Sequence, residues 1–297
     1  MANLSVVYME DDLQHETRII SEDEKYKSDN TLLFRHYIQG QTRLNEIQES
    51  IRYAQHIQKA LFPDENNLRN ILSESFLFAI PKEDLTGDFA WVTRSGHKVI
   101  VAVADCTGHG IPGAMMSILG LSLLNQVVLE ERCYEPSFIL RRIDEKMKHS
   151  FEHSSVSSPL AYDGMDISVC CIDYSTGKIS FAGAMRPAWI VSGDSIHELK
   201  GSRYPIGGLR LEGPRLYAGT EIEFQPGSML YLFTDGYTDQ FGGLHEKKIS
   251  RGRLKKLVQM INHLPMKEQK EQLLEFFVLW KGAQVQTDDV TLMGVRL

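Results

Sequence analysis

Two stretches, Lys98–Asp105 (KVIVAVAD) and Ser228–Asp235 (SMLYLFTD), are almost wholly apolar until their last residue, an aspartate. Short runs rich in Val, Ile and aromatic residues read as buried strands, and a strand ending this way carries a charge to the margin of a core. Asp88 in TGDFAW and Asp288 in QTDDVTLMGV stand in similar settings, where a loop meets an apolar run. An isolated carboxylate in a low-dielectric interior takes up a proton, so several converging acids make sense with a cation between them. Taken singly, each aspartate reads more readily as a turn or cap residue than as a ligand, because Asp favours strand-to-loop junctions for local hydrogen-bonding reasons. Their recurrence points to a carboxylate-lined divalent metal centre.

A chain of 297 residues is long enough for one large domain plus an N-terminal extension. Its 39 acidic residues outnumber 32 basic ones, a formal charge of −7 with no basic stripe, which argues against a nucleic-acid partner. The most apolar stretch, Ala114–Leu129, is interrupted by Ser117, Gly120, Ser122, Asn125 and Gln126, so no membrane span is expected. The start, MANLSVVYMEDD, lacks the basic and apolar regions of a secretory signal. Cys106, Cys133, Cys170 and Cys171 show no CxxC spacing and read as reduced thiols of a cytoplasmic protein.

Three regions follow along the chain. Residues 1–30 are polar and acidic and read as a flexible arm. Residues 31–63 read as a helical linker or short coiled coil, in which Leu44, Ile47, Ile51, Ala54, Gln58 and Leu61 form a heptad seam that Pro63 ends. Two readings of that seam stand open: a helix packed on its own domain, or a coiled coil that pairs two chains into a homodimer. Residues 64–297 alternate strands and helices. Strands are predicted at 76–80, 89–94, 98–104, 167–174, 178–184, 188–192, 196–199, 221–224, 229–234 and 290–296, and helices at 112–129, 136–153, 253–262 and 266–281. Grouped strands separated by grouped helices favour an α+β sandwich of two antiparallel sheets with helices outside.

Around Asp105 the sequence ADCTGHG supplies glycines that let backbone groups approach an ion closely. Carboxylate and carbonyl oxygens are hard ligands, and no HxH, HExxH or Cys cluster is present, which favours Mg²⁺ or Mn²⁺ over Zn²⁺. PKEDLTGDFAW, ADCTGHGIPGAMMS, DGMDIS, TDGYTDQFGG and TDDVTLMGV, with the lead-in IRYAQHIQKALFP, resemble in order and spacing the motifs of SpoIIE/RsbU-type serine/threonine phosphatases of the PP2C-like PPM superfamily. The resemblance runs from about Leu44 to Leu297. It implies a four-layer α-β-β-α sandwich preceded by an N-terminal helix, two or more Mn²⁺ or Mg²⁺ ions, and hydrolysis of phosphoserine or phosphothreonine on a protein.

Motif by motif, the resemblance makes Asp105 the aspartate that bridges both metals, with the Cys106 backbone carbonyl as an added ligand. Asp88 becomes a ligand on one side, and Asp235 and Asp288 ligands on the other. Asp289 falls at a more variable position and reads as a residue behind the ligands, while Asp163 and Asp166 of DGMDIS read as a strand start. Two cations sharing a water would acidify it, so no covalent phosphoenzyme is needed. Ala90 stands where an aromatic is usual, Asp84 where an apolar residue is usual, and Thr107 where eukaryotic relatives carry a histidine, so the general acid is left unassigned. Arg186, His97 and His109 are weighed as phosphate contacts, with surface or structural roles favoured. The resemblance further implies a STAS-domain phosphoprotein as substrate and control through the N-terminal helix or the basic segment Tyr237–Leu257. A non-catalytic dimeric signalling module and another two-metal phosphoesterase are the competing readings.

Overall fold

The computed structural model describes residues 34–151, 163–208 and 215–297. The expected arm at 1–30 and the expected end of the second helix near His153 lie outside them. The chain divides into two compact units, Met1–Tyr53 and Ala54–Leu297. A helix, α1, covers residues 34–61. Within the first unit its side chains at 34–50 are all exposed, including the seam residues Leu44 and Ile47. In the second unit its face is partly covered, and Gln58 is buried.

The second unit is built on two antiparallel sheets. One has the strand order β1 (Ser75–Ile80), β13 (Val290–Arg296), β10 (Met229–Phe233), β6 (Ala188–Ser192), β7 (Ser195–Leu199). The other runs β2 (Asp88–Ser95), β3 (Lys98–Cys106), β4 (Gly164–Asp173), β5 (Lys178–Ala184), β9 (Thr220–Glu223), with the short β8 (Ile206–Gly207) also pairing with β4. The apolar run in β3 is continuous because both faces of its sheet are covered. Val99, Val101 and Val103 face the core between the sheets, with Leu230, Leu232, Met293 and Val295 from the other sheet. Ile100, Ala102 and Ala104 pack outward with Leu121, Leu124, Ile139 and Ile143. These come from α3 (Gly110–Leu124) and α4 (Pro136–Ser150). On the other outer face Phe76, Tyr231 and Leu292 meet Leu254, Val258, Leu273 and Phe277, from α6 (Ser250–Ile261) and α7 (Met266–Lys281). Side chains alternate with period two along a strand, so a central strand reads as unbroken hydrophobicity only in such a layered fold. The α-β-β-α sandwich and its two antiparallel sheets agree with the expectation.

Several local features differ from it. Helix α2 (Glu65–Ile71) lay unread because its capping box joins Asp64 to Asn67 instead of to a Glu or Gln. Helix α3 continues through a π-helical turn, Asn125–Glu130, where Asn125 Oδ1 accepts from the Trp91 indole at 2.8 Å. Within the 21-residue helix Gly110–Glu130 an 18-residue window reaches a mean hydropathy of 1.5, long and apolar enough by length and composition alone to cross a membrane. The interruptions noted in the sequence are uncharged and lower hydropathy too little to disqualify it. In the fold this is a core helix packed beside α4 on the outer face of the six-stranded sheet. A short helix α5 (Asp235–Asp239) and a ribbon of β11 (Phe241–Gly242) and β12 (Lys247–Lys248) follow β10 and were also unexpected.

Candidate active site

Strand register builds half of the site. Asp88 pairs with Asp105 across β2 and β3, and Asp105 pairs with Asp166 across β3 and β4. Three carboxylates therefore stand in a row at one end of one sheet, at the separation of neighbouring strands. From the other sheet, Asp235 opens α5 immediately after β10, and Asp288 lies two residues before β13, the neighbour of β10. Asp105, Asp166, Asp235 and Asp288 line one open cavity of about 270 Å³, together with Cys106, the Thr107–His109 loop and Arg186. Asp88 does not line it. Its carboxylate lies behind Asp105, buried, accepting from the Thr234 hydroxyl at 2.6 Å.

Arg186 holds the acids together in this state. Its Nη2 lies 2.6 Å from Asp105, 2.7 Å from Asp235 and 3.3 Å from Asp166, and its Nε has no partner. The backbone here needs glycine: a Cβ on Gly183 would meet the Arg186 carbonyl at 2.1 Å. Burial raises the Asp105 carboxyl to about 8 despite the guanidinium, with Asp235 and Asp166 adding to the rise. Burial likewise raises Asp166 to about 6, with Arg186 opposing. Asp88 is pushed well above the usual carboxylate range by burial and then by Asp105. Asp288 is raised mainly by burial. One guanidinium does not compensate this many acids in a desolvated rim.

Buried polar side chains fix the loops that carry the acids. Asp289 accepts from the backbone amides of Lys82 and Gly87 at 2.7 and 2.8 Å, so it braces the segment ahead of Asp88. The Thr234 hydroxyl accepts from the Thr291 amide at 2.9 Å while donating to Asp88. Gln240 donates to the Val285 carbonyl and accepts from the Thr287 amide, pinning the stretch before Asp288. Gly236 permits close passage, since a Cβ there would meet the Asp289 carbonyl at 1.9 Å.

Two residues favoured for structural roles from sequence also line the cavity. Asp166 is in the cavity, and the available signal was its register opposite Asp105, which only strand pairing reveals. Arg186, to which a surface or structural role was given, is buried among the acids; a lone Arg between two apolar strands was the signal. His97 sits at the far end of β3 beside Asp173, at 3.9 Å, away from the site. His109 lines the cavity, with Nδ1 2.6 Å from Glu83. Basic residues of the Tyr237–Leu257 segment have partners: Lys248 pairs with Asp239 at 2.7 Å, Lys255 with Glu198 at 2.5 Å, and Arg253 covers the Trp280 ring.

Residues 95–297 match the family model for stage II sporulation protein E (SpoIIE), more than half of the chain. The chain belongs to the SpoIIE family. The phosphoserine phosphatase RsbU of Bacillus subtilis is 22% identical over 200 residues, 65% of this chain and 55% of RsbU, so the chain spans about half the length of that curated relative. The SiaA-PP2C domain of Pseudomonas aeruginosa has the same fold, with a TM-score of 0.77 and 28% identity over 85% of this chain and 98% of that one. The PP2C phosphatase domain of SpoIIE from Bacillus subtilis shares the fold at 18% identity, with a TM-score of 0.60 over 75% of this chain and 62% of that one. The chain is thus a SpoIIE-family protein with a PP2C-type phosphatase fold, and phosphatases of this class use divalent metals.

The residues of this SpoIIE-family site suit such metals chemically. Four carboxylates outnumber the one imidazole, His109, and the one buried thiol, Cys106, in the cavity lining, so hard oxygen donors predominate, and the acids carry excess charge that Arg186 only partly offsets. Among the described residues no three acids already stand at ligand spacing. Their oxygens are instead drawn onto the guanidinium at the centre of the rim.

Proposed function

We propose that this chain is a metal-dependent serine/threonine protein phosphatase in which Asp88, Asp105, Asp235, Asp288 and the Cys106 carbonyl hold two or more Mn²⁺ or Mg²⁺ ions. The observation that carries the reading is the convergence of acids from both sheets on one cavity, at the positions of the family motifs. Such ions supply Lewis acidity for the phosphoryl group and acidify a shared water when bound. Asp105, near the end of a central strand, would hold an ion together with acids from both sheets. Asp88, fixed by Thr234, serves the side of the six-stranded sheet, and Asp235 and Asp288 serve the other.

The Arg186 guanidinium, which pairs with Asp105 and Asp235 at the cavity wall, would orient the phosphate of a substrate when those acids hold ions instead. With the phosphate held in line, the chain's part is positioning and charge neutralisation, and no side-chain nucleophile is needed. The substrate read here is a phosphorylated signalling protein of the STAS-domain type, supported by the family resemblance. The exposed apolar residues Leu44 and Ile47 of α1 favour pairing of two chains through the helical segment.

The test is to assay the purified chain with Mn²⁺ against a phosphoserine protein, a phosphodiester and a small phosphate ester, with chelator controls. Metal-dependent release of phosphate from the protein is expected to dominate. Preference for the diester would favour a different two-metal phosphoesterase, and no hydrolysis of any substrate would favour a signalling module.

A further inference from the structure

The segment 244–256 carries six basic residues and one acid in a chain of formal charge −7. Three of those cations are engaged, Lys248 by Asp239, Lys255 by Glu198 and Arg253 over Trp280. Lys247, Arg251 and Lys256 are exposed and have no ion-pair partner among the described residues. Two of these three stand at the cavity end of the fold. Asp235 lines the cavity and opens α5, whose last residue, Asp239, holds Lys248. That short helix is only about 6 Å long at 1.5 Å per residue, so Lys248 begins close to where the cavity wall ends. Lys247 precedes it on β12, its backbone fixed because its carbonyl accepts from the Trp280 indole at 3.0 Å. Helix α6 then runs away from the site: at its far end Asn262 donates to the Gly193 carbonyl, in the turn that follows β6, whereas the opposite end of β6, Ala188, pairs with Leu232 near Asp235. Arg251, in the first turn of α6, therefore stands on the cavity side, and Lys256 lies farther back.

Lys247, Lys248 and Arg251 thus make a basic shelf beside a cavity walled by acids. A polypeptide whose phosphoserine enters the cavity extends past the rim at about 3.3 Å per residue, so side chains a few positions away come over the shelf. We propose that this shelf is a docking surface for an acidic stretch flanking the phosphorylated residue of the protein substrate. The inference rests on the phosphatase reading and adds the chemical class of substrate sequence. Charge complementarity favours this occupant: a short acidic segment meets the shelf alone, whereas a nucleic acid or an anionic membrane also faces the rest of an acidic protein.

Two phosphoserine peptides that differ only in carrying flanking glutamates or flanking lysines test it, with the wild-type chain and the double variant Lys247→Glu, Arg251→Glu. Wild-type kcat/KM in Mn²⁺ is expected to favour the acidic peptide, by a margin that shrinks as salt is added. The double variant is expected to lose about tenfold in kcat/KM toward the acidic peptide, while keeping the wild-type melting temperature and activity on a small phosphate ester. Fluorescence anisotropy of the same peptides, labelled, reads docking without turnover. If the wild type hydrolyses neither peptide, the phosphatase reading falls, and the binding preference and its loss in the variant still decide the role of the shelf. Equal handling of the two peptides by the wild type, or an unchanged preference in the double variant, would overturn the inference. So would a variant that keeps its peptide preference and loses only its hold on phosphatidylserine vesicles, which would assign the shelf to a membrane.

Discussion

Asp88, Asp105 and Asp166 stand on three adjacent strands of the six-stranded sheet, whereas Asp235 and Asp288 occupy a helix start and a loop beside the five-stranded sheet. The first group is placed by ladder register, which a one-residue slip would destroy for every side chain on the strands at once. The second depends on single contacts such as Gln240 with Val285 and Thr287. Burial differs in parallel, with side-chain exposure of 19% at Asp105 and 40% at Asp235. One half of the site is thus a consequence of the core, and the other is assembled by loops around it. Burial raises all three acids on the sheet side and Asp288 on the loop side, and Arg186 bridges the halves.

The largest effect that bears on this contrast is on catalysis. Asp105→Asn and Asp235→Asn are each expected to lower metal-dependent turnover by about 10²-fold or more, since each removes a proposed ligand. They should part company in stability: without metal, Asp105→Asn is expected to melt at or above the wild-type temperature because a buried acid has gone, while Asp235→Asn shifts it little. Near-normal turnover in both variants would refute the ligand assignment, and identical melting behaviour would erase the distinction between the halves.

Arg186→Met probes the bridge. Removing one partner from a buried charge cluster costs about 3–5 kcal/mol, with the openness of Asp235 pulling toward the lower figure. The metal-free variant is expected to melt well below wild type, and Mn²⁺ to restore most of the loss. A melting temperature insensitive to Mn²⁺ would show that the carboxylates do not share a cation site.

The pH dependence of the metal-free chain sharpens the contrast further. A carboxyl raised to about 8 at Asp105 and about 6 at Asp166, from an ordinary value of 3.8, binds its proton more tightly in the folded state. Their stabilising contribution is full below pH 3.8 and is lost as pH rises through about 6 and then about 8. Melting temperature without metal is therefore expected to carry a component that declines from pH 4 to pH 8, and Asp105→Asn to flatten it. A decline of the same size in Asp105→Asn would contradict the assignment.

The smallest effect is on the loop side. Gln240→Ala leaves the Val285 carbonyl and Thr287 amide without this partner and is expected to cost about 1–3 kcal/mol. Urea denaturation measures the loss. If it matched the loss at Arg186, the loop side would be as integral to the core as the strand side.

The same division explains what the sequence revealed. β3 and β10 were legible because apolar runs ending in Asp are local signals, and layered packing follows from runs apolar on both faces. Asp166 was read as a strand start because its importance lies in pairing with Asp105, 61 positions away. Arg186 was discounted because a single basic residue gives no sign of the three carboxylates that fold around it. Gln58 fitted a heptad seam by spacing, yet its partner Thr86 lies 28 residues on, and no periodicity encodes such a contact. Residues whose role is to join distant loops leave the weakest trace in the linear text.

A crystal structure grown in saturating Mn²⁺ tests the central claim most directly. Carboxylate oxygens of Asp88, Asp105, Asp235 and Asp288 are expected within roughly 2.0–2.3 Å of two or more ions, distances typical of hard cations on oxygen, with the Arg186 guanidinium withdrawn from Asp105. Acids still gathered on Arg186 in abundant Mn²⁺, with no ion in the cavity, would contradict it.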